Sequence, residues 1–435
     1  MSARSVDAIV IGAGIVGTSV ALELARAGRT VVIVDRNSGP GQGSTSASSA
    51  ILRMHYSTWA GVATAWEARS TWAEWGTYLE AGDDEVLARY VNTGVLAIES
   101  PDFNADRVMG LFTSAGIPYE HFSGEEIAQH FPYLDVGRYF PPKSPDDDAF
   151  WSDADGMVSA LFTTEGGYVD DPTLASLNLL NAAKRHGAET MFRCTVTEIT
   201  RSGGRVTGIN VDNSLRIDSP VVVNCAGPKS AVINELAGVL GDFRISTRPL
   251  RQEVHELPAP SALAPGQVMP VLSDSDLGTY IRSQPSGAVL VGGMEPACDP
   301  LMWLSDGDLF DMNPTTEAYR AQALRAARRI PSLTVPHRPK GAAGVYDVTE
   351  DWIPIYDVTS LTGFYVAIGT SGNQFKNAPV IGQMIRALIE ESESGRDHDR
   401  DPVAWTAPRT RHAIPLGTYS RLRQPNTGSS NSVLG

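Results

Sequence analysis

The chain has few cysteines and no histidine pattern typical of a metal site. Cys194, Cys225 and Cys298 are its only cysteines, and they stand far apart. Three scattered thiols provide neither a disulfide framework nor the paired spacing of a zinc site, and the eight histidines form no HExxH motif. We therefore expect free thiols, a reducing cytoplasmic location and no metal centre.

A long apolar run is also missing. The first apolar segment is about ten residues long and contains glycines, so it is predicted to be a strand rather than a signal peptide. No segment approaches the roughly twenty apolar residues that a membrane span needs. We therefore expect no membrane-spanning segment.

Positive charge is scarce relative to negative charge. The chain has 35 Lys and Arg against 50 Asp and Glu, which gives a net charge of −15. This balance argues against nucleic acid and anionic membrane surfaces as partners. A length of 435 residues exceeds what one core usually holds, which favours two domains.

What the chain does contain is a dinucleotide-binding fingerprint near its start. An apolar strand at 6–11 leads directly into GAGIVG at 12–17, a helix rich in Ala and Leu follows at 18–27, and a second strand at 30–34 ends on Asp35. The three glycines permit a tight turn, a close approach of pyrophosphate and close packing of helix on strand. The helix N-terminus attracts phosphate, and the acid can hold ribose hydroxyls.

The nucleotide-binding pattern returns late in the chain. Buried, parallel strands are predicted near 221–227 and 363–369, and a helix at 378–391 follows the second. Between them, 246–300 alternates like antiparallel strands. This order predicts a nucleotide domain built from separate pieces with a sheet-based substrate domain inserted. The polar tail is predicted either to be disordered or to wrap the body as an arm.

Over most of residues 6–390 the chain resembles the flavin-dependent superfamily of D-amino-acid oxidase, glycine oxidase and sarcosine oxidase and dehydrogenase. The resemblance rests on motifs that occur in the family's order. They are the fingerprint with Asp35, GSTS at 43–46, GGYVD at 166–170, VVNCAG at 222–227, YIR at 280–282 with LVGGME at 290–295, and GVYDVTED at 344–351 with GTSGNQFK at 369–376.

The resemblance implies an α/β fold in which a mainly antiparallel-sheet substrate domain is inserted into a Rossmann-like FAD-binding domain. We expect the FAD-binding domain at 1–90, 155–245 and 335–392, and the substrate domain at 91–154 and 246–334. Residues 393–435 form the polar C-terminal tail.

The resemblance also implies non-covalent FAD as the cofactor. The family's covalent members attach the flavin at positions where this chain has Ala47 and about where it has Gly344. The predicted cofactor-binding residues are Gly12, Gly14, Ile15, Val16, Gly17, Asp35, Arg36, Gly43, Ser44, Thr45, Ser46, Val196, Ala226, Gly227, Gly344, Gly369, Ser371, Gly372, Asn373, Gln374, Phe375 and Lys376.

The substrate-binding and catalytic residues are predicted from the same resemblance. Arg53 and Lys376 match two cations that hold the substrate carboxylate, which orients the Cα–H toward the flavin. Tyr280 matches a tyrosine that lines the pocket, although packing within its strand is an equal alternative. His55 and Tyr56 follow Arg53 closely, so either could face the same pocket.

Two departures from the family pattern concern oxygen and substrate size. Leu290 stands where sarcosine oxidases have a lysine that activates oxygen, so electrostatic help for reaction with oxygen is missing there. Met294 stands where that branch has an active-site histidine, which predicts a more apolar pocket and a substrate larger than sarcosine.

The predicted reaction is dehydrogenation of the C–N bond of a primary or secondary amine, such as an N-methyl amino acid, to an imine. The partners would be this small molecule and either oxygen or another electron acceptor. An FAD-dependent 2-hydroxy acid dehydrogenase, a flavin-binding subunit with little turnover and an NAD dehydrogenase are the alternatives. The sequence leaves the amine, the acceptor and the oligomeric state open.

Overall fold

The strands of the chain form two large sheets, and helices pack against them. The structure, a computed structural model, describes residues 4–264, 266–430 and 432–433. The positions 1–3 and 265 of the predicted domains and 431, 434 and 435 of the predicted tail lie outside the described residues.

The helices are α1 Ile15–Arg26, α2 Trp59–Ala73, α3 Trp75–Leu79, α4 Ala105–Ala115, α5 Gly124–His130, α6 Pro172–Arg185, α7 Ser230–Ala237, α8 Thr316–Arg329 and α9 Ala378–Glu393. The strands are β1 Arg4–Ser5, β2 Ala8–Ile11, β3 Val31–Asp35, β4 Ile51–Leu52, β5 Tyr90–Asn92, β6 Val95–Ile98, β7 Glu120–Phe122, β8 Ala160–Thr163, β9 Gly167–Val169, β10 Glu189–Phe192, β11 Val196–Ser202, β12 Arg205–Val211, β13 Leu215–Asp218, β14 Val222–Asn224, β15 Thr247–Leu257, β16 Val271–Asp274, β17 Thr279–Ser283, β18 Val289–Gly293, β19 Met302–Trp303, β20 Gly341–Thr349, β21 Ile355–Val358, β22 Phe364–Ile368, β23 Ala404–Thr406 and β24 Ala413–Pro415. None of the helices in the described ranges is long and apolar enough to cross a membrane.

The nucleotide-binding pattern of the sequence becomes a six-stranded sheet. Its strand order is β10-β3-β2-β14-β22-β21. All neighbours are parallel except β21, which runs antiparallel to β22. β14 pairs with β2 on one side and with β22 on the other, so the two predicted parallel strands from distant parts of the chain do lie side by side.

Helices α1, α6 and α9 cover one face of this sheet, where they share one apolar core with it. The strands β2, β14 and β22 are buried along their whole length, which explains why each is a continuous apolar run. A Cβ added at Gly17 would lie 1.9 Å from the carbonyl oxygen of Gly12. The helix can lie this close to the turn before it only because Gly17 has no side chain.

The second sheet is mainly antiparallel and contains nine strands. Its order is β19-β15-β18-β17-β16-β6-β8-β7, with β20 also paired to β15, and only β16 and β6 are parallel neighbours. The predicted α/β architecture with an inserted antiparallel sheet is confirmed. The domain ranges stay a prediction, and two strands of this sheet, β8 and β20, fall in ranges that were assigned to the FAD-binding domain.

The polar tail lies against the body as an arm, which is one of the two predicted alternatives. It contains the hairpin β23–β24. Further on, the buried Arg421 pairs with Asp357 on β21 at 3.1 Å and with Asp399 at 2.7 Å. Arg423 pairs with Asp351 at 2.8 Å. The tail is thereby fixed to the edge of the nucleotide sheet.

Candidate active site

A cavity of about 620 Å³ extends between the two sheets. One end lies at the carboxyl ends of β2, β3 and β14, where the strand order of the nucleotide sheet reverses direction. Open α/β sheets bind their ligands at such a point. The other end lies against β17 and β20 of the second sheet, so a ligand in the cavity touches both sheets.

The N-terminus of α1 faces the first end of the cavity. Gly14, Ile15 and Val16 line it, and the helix has no side-chain cap at Gly14 within the described residues. The N–H of Ile15 donates to Oγ1 of Thr45 at 3.1 Å, which fixes the serine-rich loop against the helix. Because the first backbone N–H groups of a helix have no partner within the helix, the start of α1 remains a place for a phosphate group.

Asp35 is held in position by two backbone groups. Its Oδ2 accepts from the N–H of Ala13 and its Oδ1 from the N–H of Asn37, each at 2.7 Å. Asp35 lines the cavity. Each carboxylate oxygen keeps one acceptor position after these bonds, so both could accept from ribose hydroxyls.

A segment around Asp308 covers the same end. Asp308 forms an ion pair with Arg36 and a second one, of 3.0 Å, with Lys229. Hydrogen bonding to Asp308 raises the pKa of Arg36. Arg36, predicted as a cofactor contact, thus lines the cavity but is paired with a carboxylate that the sequence did not single out.

The early serine loop and β20 meet over the middle of the cavity. Ser44 donates its hydroxyl to the carbonyl of Val345 at 2.5 Å. A Cβ added at Gly344 would lie 2.6 Å from the Cβ of Ala47. Neither Ala47 nor Gly344 carries an atom that could bond covalently to a flavin, and the space between them admits no larger side chain.

The late loop divides into residues that line the cavity and residues that shape the turn. Gly372 and the following residues to Lys376 line it, whereas Gly369 and Ser371 do not. Both have positive φ, of 65° and 45°. The N–H of Gly369 donates to Oδ2 of Asp347 at 2.7 Å. Like Gly17, these two predicted cofactor residues therefore lie outside the cavity lining. They permit the backbone conformation or close packing that shapes the site.

Arg53 and Lys376 are brought together at the second end of the cavity. Both are buried, both line it, and both lie over the ring of Tyr56, at 5.2 and 4.7 Å. Arg53 donates to the carbonyls of His55 and Val433, and Lys376 donates to the carbonyl of Asn373 at 2.7 Å. Within the described part of the chain no carboxylate lies within 4.0 Å of either cation.

Burial and mutual repulsion disfavour the positive charge of Lys376. Burial, and then the charge of Arg53, lowers its pKa well below the usual value. Burial lowers the pKa of Arg53 in the same direction. A bound carboxylate would favour the charged forms of both side chains and would raise their pKa values again.

Tyr280 lines the cavity, but His55 does not. The Tyr280 hydroxyl lies 2.7 Å from that of Ser49, and burial raises the pKa of Tyr280 to about 12. His55 packs edge-on to Phe112, and burial lowers its pKa to about 3. Its ring nitrogens have no hydrogen-bond partner in the described ranges. The geometry therefore gives no support to the predicted catalytic role of His55.

Residues that the sequence did not single out lie at the same end. The N–H of Val433 donates to Oε2 of Glu295 at 3.2 Å, and Val433 lines the cavity. Of the two departures noted in the sequence, Met294 lines the cavity and Leu290 does not; Glu295 is not part of the lining either. Glu295 ends the LVGGME motif, so its position next to Met294 was a signal that could have been used. The approach of Val433 has no signal in the sequence.

A protein-family model and several known proteins match most of the chain. A family model described as DAO, FAD dependent oxidoreductase, matches residues 7–388. The chain is 26% identical over 294 residues to the mitochondrial sarcosine dehydrogenase of Homo sapiens, a match that covers 64% of this chain. It covers 28% of that protein, so the chain spans little more than a quarter of this relative's length.

Solved structures share the fold over nearly the whole chain. L-proline dehydrogenase from P. horikoshii superposes with a TM-score of 0.75 at 21% identity, over 96% of this chain and 97% of that one. Glycine oxidase from Geobacillus kaustophilus gives 0.70 at 20% identity, over 91% and 98%. Likeness at these identities shows the fold alone.

The residues that line the cavity fit a dinucleotide. The uncapped start of α1 and the carboxylate of Asp35 suit a pyrophosphate and a ribose. A Cβ added at Gly372 would lie 2.3 Å from the ring of Tyr346, and one at Gly14 would lie 3.3 Å from Thr45 Oγ1. Glycines at these points let the main chain of the two loops lie close to Tyr346 and Thr45, which also line the cavity.

Proposed function

Because this chain belongs to the family of FAD-dependent oxidoreductases, whose model matches residues 7–388, we propose that it dehydrogenates the C–N bond of an amino acid. The amine is primary or secondary, as in an N-methyl amino acid, and the product is an imine. The FAD cofactor and the enzyme class that the motifs predicted are confirmed by this membership, whereas the substrate is the proposal.

The observation that carries the proposal is the pair of buried cations, Arg53 and Lys376. Two positive charges that line one cavity and have no carboxylate within 4.0 Å in the described ranges call for an anionic ligand. Taking an ion out of water costs several kcal/mol unless it is paired. A substrate carboxylate between the two side chains would supply the missing partner.

The residues of the chain then orient the substrate and keep water away. FAD, when bound, supplies the acceptor for the hydride that leaves the α-carbon. Arg53 and Lys376 fix the carboxylate and hence the direction of the Cα–H bond. Tyr280 and Met294, both buried, form part of the apolar wall beside it. Tyr280 keeps its proton at neutral pH because its pKa is raised to about 12.

Anaerobic reduction of the flavin tests the proposal. The holoenzyme is mixed with amino acids, N-methyl amino acids, simple amines and 2-hydroxy acids, and the loss of flavin absorbance is followed; air is then admitted. We expect bleaching by compounds that carry both an amine and a carboxylate, and little bleaching by amines that lack the carboxylate.

Bleaching by 2-hydroxy acids but not by their amino counterparts would refute the proposal in favour of the hydroxy acid alternative. A flavin that binds but is reduced by none of these compounds would favour a subunit with little turnover. The admission of air separates an oxidase, whose flavin recolours at once, from a dehydrogenase that needs another acceptor.

A further inference from the structure

The backbone of Val433 spans two charged side chains at the substrate end of the cavity. Its carbonyl oxygen accepts a hydrogen bond from Nη2 of Arg53. Its N–H donates to Oε2 of Glu295 at 3.2 Å. The N–Cα–C unit of one residue therefore lies between a guanidinium and a carboxyl group, inside the proposed substrate pocket.

This N–Cα–C unit is what a peptide residue shares with a free α-amino acid. In the free compound the carbonyl becomes a carboxylate, which suits Arg53, and the N–H becomes an amine, which suits Glu295. The guanidinium of Arg53 and the carboxyl group of Glu295 thus lie on either side of the N–Cα–C unit of a single residue. They are complementary to an amino acid at both of its polar ends.

Glu295 is held in an unusual conformation. Its φ is 53°, in the left-handed region that glutamate rarely adopts, and its Oε1 accepts from Nε2 of Gln252 at 3.2 Å. Backbone strain of this kind is concentrated at functional sites. Burial raises the pKa of Glu295 to about 8, so its carboxyl can exchange a proton with a bound amine near neutral pH.

The side chain of Val433 packs into an apolar cluster. Its other buried members are Leu250, Tyr280, Met294, Val348 and Trp352. The hydroxyl of Tyr280, the one polar atom that this aromatic side chain brings, lies 2.7 Å from the hydroxyl of Ser49. The space that holds the valine side chain therefore suits a branched aliphatic group.

We propose that Arg53 and Glu295 form a two-point site for an α-amino acid with a branched aliphatic side chain, and that Val433 occupies this site as an internal competitor. The inference rests on the proposed function and names the substrate class and the regulation of its site. The substrate carboxylate pairs with Arg53 and the amine with Glu295, and the substrate displaces residues 432–433. A competitor that fills the site for most of the time raises the apparent dissociation constant of every ligand in proportion.

Two ligands that cannot be dehydrogenated test the site in the holoenzyme. α-Methylvaline has the amine, the carboxylate and the branched side chain but no hydrogen on its α-carbon. Its deaminated counterpart lacks only the amine. Dissociation constants of both are measured from the change in flavin absorbance, in the full chain and in a chain ended after Ser430.

We expect the shortened chain to bind both ligands about tenfold more tightly, because a tethered competitor has been removed. In the shortened chain, Glu295→Gln should weaken α-methylvaline about tenfold and change its deaminated counterpart less than twofold. The matched control is Glu256→Gln, since Glu256 pairs with the exposed Lys340. This control should change neither constant.

Unchanged constants in the shortened chain would overturn the role of Val433, and equal weakening of both ligands by Glu295→Gln would overturn the role of Glu295. If the shortened chain fails to fold, Val433→Pro in the full chain replaces it, because proline has no N–H to donate. The proposed function is refuted independently if amino acids do not bleach the flavin although both ligands bind as expected. Bleaching by amino acids with unchanged binding constants refutes the two-point site alone.

Discussion

At the scale of single residues, the proposed function and the stability of the fold make opposite demands at Arg53 and Lys376. Both side chains are buried beside Tyr56, and both donate to backbone carbonyls. A carbonyl satisfies a donor but does not neutralise its charge. The site therefore keeps an electrostatic cost in the free protein that a bound carboxylate removes.

Replacing Arg53 by glutamine should weaken carboxylate ligands about a hundredfold, because a charge-assisted hydrogen bond in a dry pocket is worth about 2 to 5 kcal/mol. The dissociation constant of a simple carboxylate, read from the flavin spectrum, measures this. Arg53→Lys keeps the charge and loses the fork of donors, so it should give an intermediate value. Equal affinity in all three proteins would remove Arg53 from the substrate site.

Replacing Lys376 by methionine should weaken the same ligands and yet stabilise the free protein by about 1 kcal/mol or more. The pKa of Lys376 is lowered from 10.5 in the folded state, so its charge costs stability most at low pH. This cost disappears as the pH rises toward 10.5. Urea unfolding at several pH values should therefore show a gain in the variant that shrinks with rising pH.

The matched control for this variant is Lys340→Met, because Lys340 is a surface lysine with 71% of its side chain exposed. Its loss should change the free energy of unfolding by less than about 0.5 kcal/mol. A Lys376→Met protein that is less stable than this control at every pH would contradict the argument.

At the scale of elements, the site depends on how closely α1 lies against the turn that precedes it. Gly12, with a φ of 105°, makes the turn, and a Cβ there would lie 2.4 Å from the carbonyl oxygen of Cys225 on the neighbouring strand connection. Gly17 then allows the helix to approach. The helix N-terminus can face the cavity only in this arrangement.

Gly17→Ala should therefore cost about 2 kcal/mol or more of stability and most of the affinity for FAD, since its Cβ would lie 1.9 Å from the carbonyl oxygen of Gly12. Flavin content after purification and thermal unfolding measure the two effects. Gly110→Ala in α4 is the control, because a Cβ there meets no atom within 4 Å. This change should be neutral or slightly stabilising. Full flavin content in Gly17→Ala would contradict the close-packing argument.

At the scale of the whole molecule, distant parts of the chain close the cavity and hold the tail in place. Arg421 links the tail to Asp357 on the edge strand of the nucleotide sheet. The late loop of the cavity leads into α9, which packs on this same sheet. The tail is therefore fixed to the sheet on which α9 packs, and its residue Val433 lines the cavity.

Arg421→Ala should destabilise the protein by about 3 kcal/mol, because it leaves the buried carboxylate of Asp357 without its cation. Arg400→Ala, at a side chain that is 87% exposed, is the control and should cost less than about 0.5 kcal/mol. Urea unfolding of both variants gives the comparison. Equal stability of the two would mean that the arm is not anchored at Arg421.

Much of the fold could be predicted because its signals are local. The fingerprint at 12–17, the strands near 221 and 364 and the helix at 378 each depend on the period of apolar residues and on glycines at turns, and the structure has all of them. The domain ranges were harder to predict, because β8 and β20 join a sheet whose other strands lie far away in the chain. Hydrogen bonding between distant strands leaves no local pattern.

The sequence by itself determined a dinucleotide fold and, through its family motifs, an FAD cofactor, and it predicted two cations that would hold a carboxylate. Only the tertiary structure decided that His55 packs on Phe112 and does not line the cavity, that Ser371 supports a turn, and that Val433 lines the cavity. The physical reason is that these outcomes depend on backbone groups and on burial. Every residue has a carbonyl and nearly every residue has an N–H, so the type of a residue does not indicate where its backbone groups will bind.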